Sequence, residues 1–277
     1  MEDHKILVTG DYWHEDFRDV LSQMKVPTTL VSLDSLQQRS PAAENYQVVL
    51  LAQSRPDQFS HSDLEFLQAK FPNTPIVSLI GSWCEGEMRS GDPPGGGVRI
   101  FWHQWQGRYE NFVNEFNRSQ VTSWHLPKTA NDVDRVYETM THLSAKGDNL
   151  NNKSTHVAIS AWTRDGYEMI ADALSVFDYR CSWLESNQHD PGTPHVVCVN
   201  GNSLSTNLRD NIVQIRKVAP GAPIVTLMNF PRKMEVDAAK KLGVVEVVSK
   251  PYQLVDLKFA IERAMAASME TTIPAAG

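Results

Sequence analysis

The chain has 277 residues, of which 41% are hydrophobic and 21% charged, and its 26 Lys and Arg against 33 Asp and Glu leave a formal charge of −7. That length suits two domains of ordinary size, and the composition excludes a disordered or fibrous chain. The acidic balance, without a basic stripe, excludes nucleic acid as the main partner.

The opening MEDHKILVTGD interrupts its apolar run too early for a signal peptide or a membrane span, so a cytoplasmic location is expected. The next segments alternate strand and helix. KILVTGD at Lys5 to Asp11 reads as a first strand, Glu15 to Gln23 as an amphipathic helix and Thr28 to Val31 as a second strand. VVLLA at Val48 to Ala52 reads as a third strand, Asp63 to Lys70 as a helix, and PIVSLIG at Pro75 to Gly81 as a fourth strand. The same order returns with HVAISAW from His156, a helix over Gly166 to Phe177, a strand over Cys181 to Leu184, VVCVN at Val196 to Asn200, a helix over Leu208 to Val218 and PIVTLMN from Pro223. The third and fourth strands repeat at an offset of 148 residues. Continuous β-branched runs of this kind form strands buried on both faces of a parallel sheet, so each half reads as a doubly wound α/β domain.

The C-terminal ends of the halves match when Pro127 is set against Pro251, an offset of 124, which leaves 24 extra residues in the first half at positions 82–105. The organisation read from the sequence is therefore a first domain over 1–147, carrying that Trp- and Gly-rich insertion, a polar linker over 148–155, a second domain over 156–268, and a disordered tail over 269–277. Cys84, Cys181 and Cys198 are odd in number and have no paired spacing, so reduced thiols are expected and neither a disulfide framework nor a zinc knuckle.

Over its whole length the second half resembles the receiver domain of two-component response regulators, through the buried third strand, the PIV strand, DAAKKLGV at Asp237 to Val244, and VVSKPYQLVDL around Lys250 and Pro251. The first half resembles it more weakly, through the repeat. The resemblance implies two tandem five-stranded parallel sheets of the flavodoxin or receiver type. It also implies a phosphoacceptor aspartate at the end of the third strand, an acidic pair after the first strand to hold magnesium, a Thr or Ser ending the fourth strand, and a Lys before the proline of the fifth loop. That chemistry needs carboxylate-held metal and a cation against the developing phosphoryl charge. Carried over by position, the acceptor becomes Ala52 and Asn200, and the acidic pair becomes Gly10 with Asp11 and Ala161 with Trp162. The hydroxyl becomes Ile80 and Met228, the lysine Leu126 and Lys250, and the aromatic switch residue Ser123 and Val247. Asp11, Lys250 and Pro251 are the residual receiver positions.

Lys250 could hold an anion at the carboxyl end of the sheet, against the plainer reading of a structural lysine. Pro251 reads as following a cis peptide. Asp11 with His14, Glu15 and Asp16 reads either as a ligand cluster or as the capping of a helix N-terminus. The inserted segment gathers Trp83, Cys84, Glu85, Glu87, Arg89, Trp102, His103 and Trp105 around GDPPGGG, and two readings stay open for it. One is a flap with all three tryptophans buried, Cys84 serving packing and the glycine-rich tip exposed. The other is a small-ligand sensor or enzyme built on Cys84, Glu85 and His103.

The sequence thus points to a non-catalytic, phosphorylation-independent signalling or scaffold protein, with no cofactor. It would meet a protein partner, or a second copy, through the fourth helix, fifth strand and fifth helix of a receiver, with Lys240, Lys241, Val244 and Tyr252 on that surface. The sensor or enzyme is the alternative.

Overall fold

The computed structural model describes residues 5–24, 26–38, 45–84, 86–87, 91, 93, 97–119, 122–127, 129–130, 132–144, 155–184 and 193–272. The chain divides into two compact units, Met1–Thr139 and Met140–Gly277. Among the described residues no helix is long and apolar enough to cross a membrane.

The first unit contains β1 (Ile6–Gly10), α1 (Glu15–Ser22), β2 (Thr28–Leu30), α2 (Leu33–Gln38), β3 (Val48–Gln53), α3 (His61–Lys70), β4 (Ile76–Ile80), β5 (Val98–Phe101), α4 (Trp105–Ser119) and the larger part of α5 (Asp132–Ser144), whose last residues lie beyond Thr139. Its strands are all parallel, in the order β2-β1-β3-β4-β5. β1, β3 and β4 are buried along their whole length, as expected of central strands with helices on both faces. Leu7, Val49, Leu51, Leu64, Leu67 and Ile76 form a core beneath α3. Ser60 starts α3 with a capping box, its hydroxyl accepting the Asp63 N–H while the Asp63 carboxylate accepts the Ser60 N–H.

The second unit contains β6 (His156–Ser160), α6 (Arg164–Ser175), β7 (Arg180–Trp183), β8 (Val196–Asn200), α7 (Thr206–Val218), β9 (Ile224–Asn229), α8 (Lys233–Lys241), β10 (Val244–Lys250) and α9 (Leu254–Thr272). Its sheet order, β10-β9-β8-β6-β7, is the same topology read from the other edge. Ile170 and Leu174 of α6 and Leu257 and Ile261 of α9 close over Val157, Ile159, Val196 and Cys198. Strand order 2-1-3-4-5 in a parallel sheet is that of flavodoxin and of receivers, so both halves have the fold class the sequence implied.

Three expectations are corrected. The fifth strand of the first unit is not at Ser123 to Leu126 but at Val98–Phe101, inside the segment read as an insertion, where it pairs Leu79 with Ile100 and Ile80 with Phe101. Val98 and Ile100 face inward and suit a strand, whereas Ser123–His125 form a 3-10 turn capped by Thr122, ahead of Leu126 and Pro127. The extra length lies after β5, in α4 and that turn, and the connection over 81–97 stands where the second unit has α8. The expected tail begins as helix, because α9 continues to Thr272, two residues before Pro274, the first residue to oppose it. Val244 is buried, since β10 sets it inward, and it cannot belong to a docking surface. The expected linker lies outside the described residues except for Thr155.

Because each sheet carries its own core, fragments 1–147 and 156–277 expressed separately should each give a dispersed amide spectrum and a cooperative urea transition. Collapse of either dispersion would show a shared core.

Candidate functional site

In open parallel sheets ligands gather at the carboxyl ends of the strands. In the first unit these ends are β1 at Gly10, β3 at Gln53 and β4 at Ile80. Gly10 has φ +86°, and a Cβ there would sit 2.6 Å from the Ala52 carbonyl oxygen. No carboxylate can be carried at that position without moving β1 away from β3. Asp11, next in line, donates its N–H to the same Ala52 oxygen at 2.9 Å. Its carboxylate accepts from the Ser54 hydroxyl and, at 3.4 Å, from Gln58 Nε2. Asp11 is therefore engaged by neutral donors, and Ala52 beside it offers no oxygen for an acyl phosphate.

The connection after β4 is fastened by two buried carboxylates. Asp16 of α1 accepts the Ser82 N–H at 2.8 Å, and His14 provides the cap of that helix by accepting the Asp16 N–H at 3.3 Å. Glu87 is paired with Arg99 of β5 and also accepts from Gln53 Nε2 at 2.8 Å and from the Asp57 N–H at 3.0 Å. Its side chain is fully buried. A carboxylate in that setting persists because a cation and two further donors replace its lost water.

The residues proposed for a sensing or catalytic loop separate accordingly. Glu87 holds the structure together. Cys84 is buried, its thiol directed at the Gln53 carbonyl 3.7 Å away, and burial, with Glu87 adding to it, pushes its pKa up to about 12, so it is no thiolate nucleophile near neutrality. His103 stacks on Phe101 with ring centroids 6.0 Å apart. Glu85 and Arg89 lie outside the described residues. Trp102 and Trp105 are buried, as expected, but Trp83 is 61% exposed. Ser82 and Cys84 take the inward positions of the turn and leave Trp83 facing water. Of the glycine-rich tip, only Gly91, Pro93 and Gly97 are described, and Gly91 is exposed.

In the second unit Asn200 ends β8 at the acceptor position. Lys250 Nζ donates to Asn200 Oδ1 at 3.0 Å and lies 3.5 Å from Asn202 Oδ1. Half-burial lowers the lysine pKa. Among the described residues no carboxylate pairs with Lys250. The Lys250–Pro251 peptide is cis, as the sequence suggested. Where an acidic pair would stand, the Ala161 carbonyl accepts from Trp183 Nε1 at 3.3 Å and Trp162 is largely exposed.

The pairing of β4 with β5 also corrects two site assignments. Ser249 lies against Met228 and Lys250 against Asn229 in the second unit, while Phe101 lies against Ile80 in the first. The lysine position of the first unit is therefore Trp102 rather than Leu126, and the switch position is Arg99 rather than Ser123. The magnesium that the fold family implies does not fit either unit. Gly10, Ala52, Ala161, Trp162 and Asn200 supply no carboxylate, and among the described residues no group of three or more His, Cys, Asp or Glu is placed to hold a metal. Gln53, Arg99 and Asp16 were not singled out for these roles from the sequence. The available signal was an arginine inside the apolar strand VRIF.

No protein-family profile and no curated protein matches the chain. Solved structures similar to it include a response regulator from Thermotoga maritima, at 18% identity over 40% of this chain and 98% of that one, TM-score 0.34. A response regulator receiver domain protein from Clostridium thermocellum is 18% identical over 43% of this chain and 99% of its own, TM-score 0.35. A structure described as a two-component system response regulator/GGDEF domain protein is 12% identical over 96% of this chain and 99% of its own, TM-score 0.40. The structural neighbours are mostly receiver-type response regulators.

Replacing Glu87 by alanine leaves Arg99 largely buried without its partner. The first unit should lose about 3–5 kcal/mol of stability, the usual cost of breaking a buried pair, in urea denaturation followed by its own amide signals. The second unit's transition should not move. An unchanged first transition would show that Glu87 is not the fastening point.

Proposed function

We propose that the chain is a signalling or scaffold protein whose two receiver-like units work without phosphorylation and without catalysis. The observation that carries this reading is the Lys250–Asn200 contact. At the strand end where a receiver would hold its acceptor, the lysine meets an amide oxygen, and an amide cannot form an acyl phosphate. Ala52 in the other unit, and Gly10, Ala161 and Trp162 at three of the four acidic-pair positions, support the same reading. The buried, high-pKa thiol of Cys84 argues against the alternative of an enzyme built on the loop after β4.

The partner is a protein, or a second copy of the chain, received on the face formed by α8, β10 and α9. Lys240 and Lys241 are exposed there and Tyr252 is half-buried. Arg263 of α9 is paired with Glu246 of β10 at 2.9 Å, which fixes the strand and the last helix as one surface.

Incubation with acetyl phosphate, or with beryllium fluoride and magnesium, should change neither the intact mass nor the amide shifts around Ala52 and Asn200. A phosphoryl adduct on any carboxylate at either strand end would overturn the reading.

A further inference from the structure

In a chain of net charge −7, the second unit gathers cations on one surface. No Asp or Glu occurs between Asp210 and Glu235, nor between Asp237 and Glu246, whereas those two stretches hold Arg216, Lys217, Arg232, Lys233, Lys240 and Lys241. Arg216 and Lys217 lie in the last turn of α7, and Lys240 and Lys241 in the last turn of α8. Each helix runs from the carboxyl end of one strand to the start of the next, so both last turns lie at the amino-terminal end of the sheet, away from Asn200 and Lys250. Two hydrogen bonds join them. Arg216 donates to the Gly243 carbonyl, and the Gly243 N–H donates to the Lys240 carbonyl at 2.8 Å. Gly243 has φ +88°, a left-handed conformation suited to glycine, and a Cβ there would crowd the Arg216 guanidinium.

Cations at a helix C-terminus complement its dipole, but the matching helix of the first unit carries only one in its last turn. There α3 ends at Phe71, which the offset of 148 sets against Ala219 at the end of α7, and Lys70 donates to the Leu36 carbonyl. Arg216 and Lys217 stand against Gln68 and Ala69, and α8 has no counterpart, so the fold does not require this surface. In the second unit Arg216 is engaged by the Gly243 carbonyl, while Lys217, Lys240 and Lys241 are exposed, and among the described residues none of these three pairs with a carboxylate. The acidic residue before them on α8, Asp237, accepts from Lys233 at 2.8 and 3.0 Å. Val213, one turn before Lys217 on the same face of α7, is 44% exposed, and Val218 is 56% exposed. The surface is thus basic with an apolar border.

We propose that this surface binds an acidic segment of a partner protein that also carries apolar side chains, its carboxylates meeting Lys217, Lys240 and Lys241 and its apolar residues covering Val213 and Val218. The inference rests on the reading of the chain as a protein-binding signalling module, and it adds the end of α7 to the docking face that α8 borders. Complementary charge sets which partner is admitted and how fast it arrives. Lysine ammonium groups are point charges on flexible stems, which suits carboxylates spread along a segment rather than one fixed bidentate ligand. Four cations in an acidic chain are too few for nucleic acid, whose affinity is built from many phosphate contacts.

The probe is the acetylated and amidated peptide EELEELL, titrated into the full chain and followed by amide shifts, with QQLQQLL as its uncharged counterpart. Saturable shifts are expected over residues 213–220 and 238–243, weakening as salt is raised from about 0.05 to about 0.5 M. Lys217→Gln, Lys240→Gln and Lys241→Gln combined, all at exposed positions, should keep the melting temperature and weaken binding about tenfold, because each exposed ion pair contributes modestly. Lys217→Gln alone should weaken it about twofold and carries the test if the combined variant does not fold. Arg164→Gln, which removes an exposed cation from α6, should bind as the parent chain does. Absence of saturable shifts, equal binding of the neutral peptide, undiminished binding by the lysine variants, or stronger shifts from phosphatidylserine-containing vesicles would overturn the inference. Shifts confined to β10 and α9 would also overturn it while leaving a partner face on the second unit, whereas a phosphoryl adduct from acetyl phosphate would remove the broader reading and leave the peptide result unchanged.

Discussion

The outer edge of β4 has to be hydrogen-bonded. Ile76–Ile80 is a fully buried strand, and its outward N–H and C=O groups would each cost a substantial part of the stability of a small domain if left without partners. Val98–Phe101 meets that requirement, and the local features of the first unit follow from it. It places Arg99 where its charge needs a carboxylate, which Glu87 provides, and Glu87 in turn gathers Gln53 and the turn at Asp57. It sends Trp102 and Trp105 inward and is followed by α4, whose Phe112 stacks on Trp124 at 4.4 Å.

At the positions where a receiver carries its site, the two units differ from it in different physical ways. In the first, Gly10 lies too near β3 to carry a side chain, Ala52 stands at the acceptor position, and Asp11, Asp16 and Glu87 are engaged by neutral donors, a loop N–H and Arg99. In the second, the backbone is unremarkable and the side chains have changed, leaving one half-buried lysine opposite amide oxygens. Among the described residues no carboxylate pairs with this lysine, the opposite electrostatic arrangement from a site built to hold magnesium.

The fold class was legible because buried parallel strands are nearly continuous apolar runs, and VVLLA, PIVSLIG and their partners 148 residues later are such runs. The fifth strand of the first unit was not legible. Setting Pro127 against Pro251 pulled the alignment onto SWHLP, while VRIF stood among glycines, prolines and tryptophans that read as loop. Trp83 shows the same limit on a smaller scale, since composition gave it a reason to be buried but the turn it occupies faces outward. The links that define the site join residues 34 and 66 positions apart, Gln53 to Glu87 and Asp16 to Ser82, and no local pattern announces them. Lys250 and Pro251, by contrast, were readable because the motif that marks them is local.

The assignment of Trp102 and Arg99 to the lysine and switch positions depends on which segment closes the sheet. Amide hydrogen exchange of the full chain tests it directly. The account predicts slow exchange for the β5 amides that bond β4, within 98–101, at a level close to that of the neighbouring central strands, and faster exchange across Ser123 to Leu126. Protection over 123–126 with rapid exchange over 98–101 would contradict it, because Leu126 would then stand where the second unit has Lys250 and the fastening role of Glu87 and Arg99 would fall with the strand.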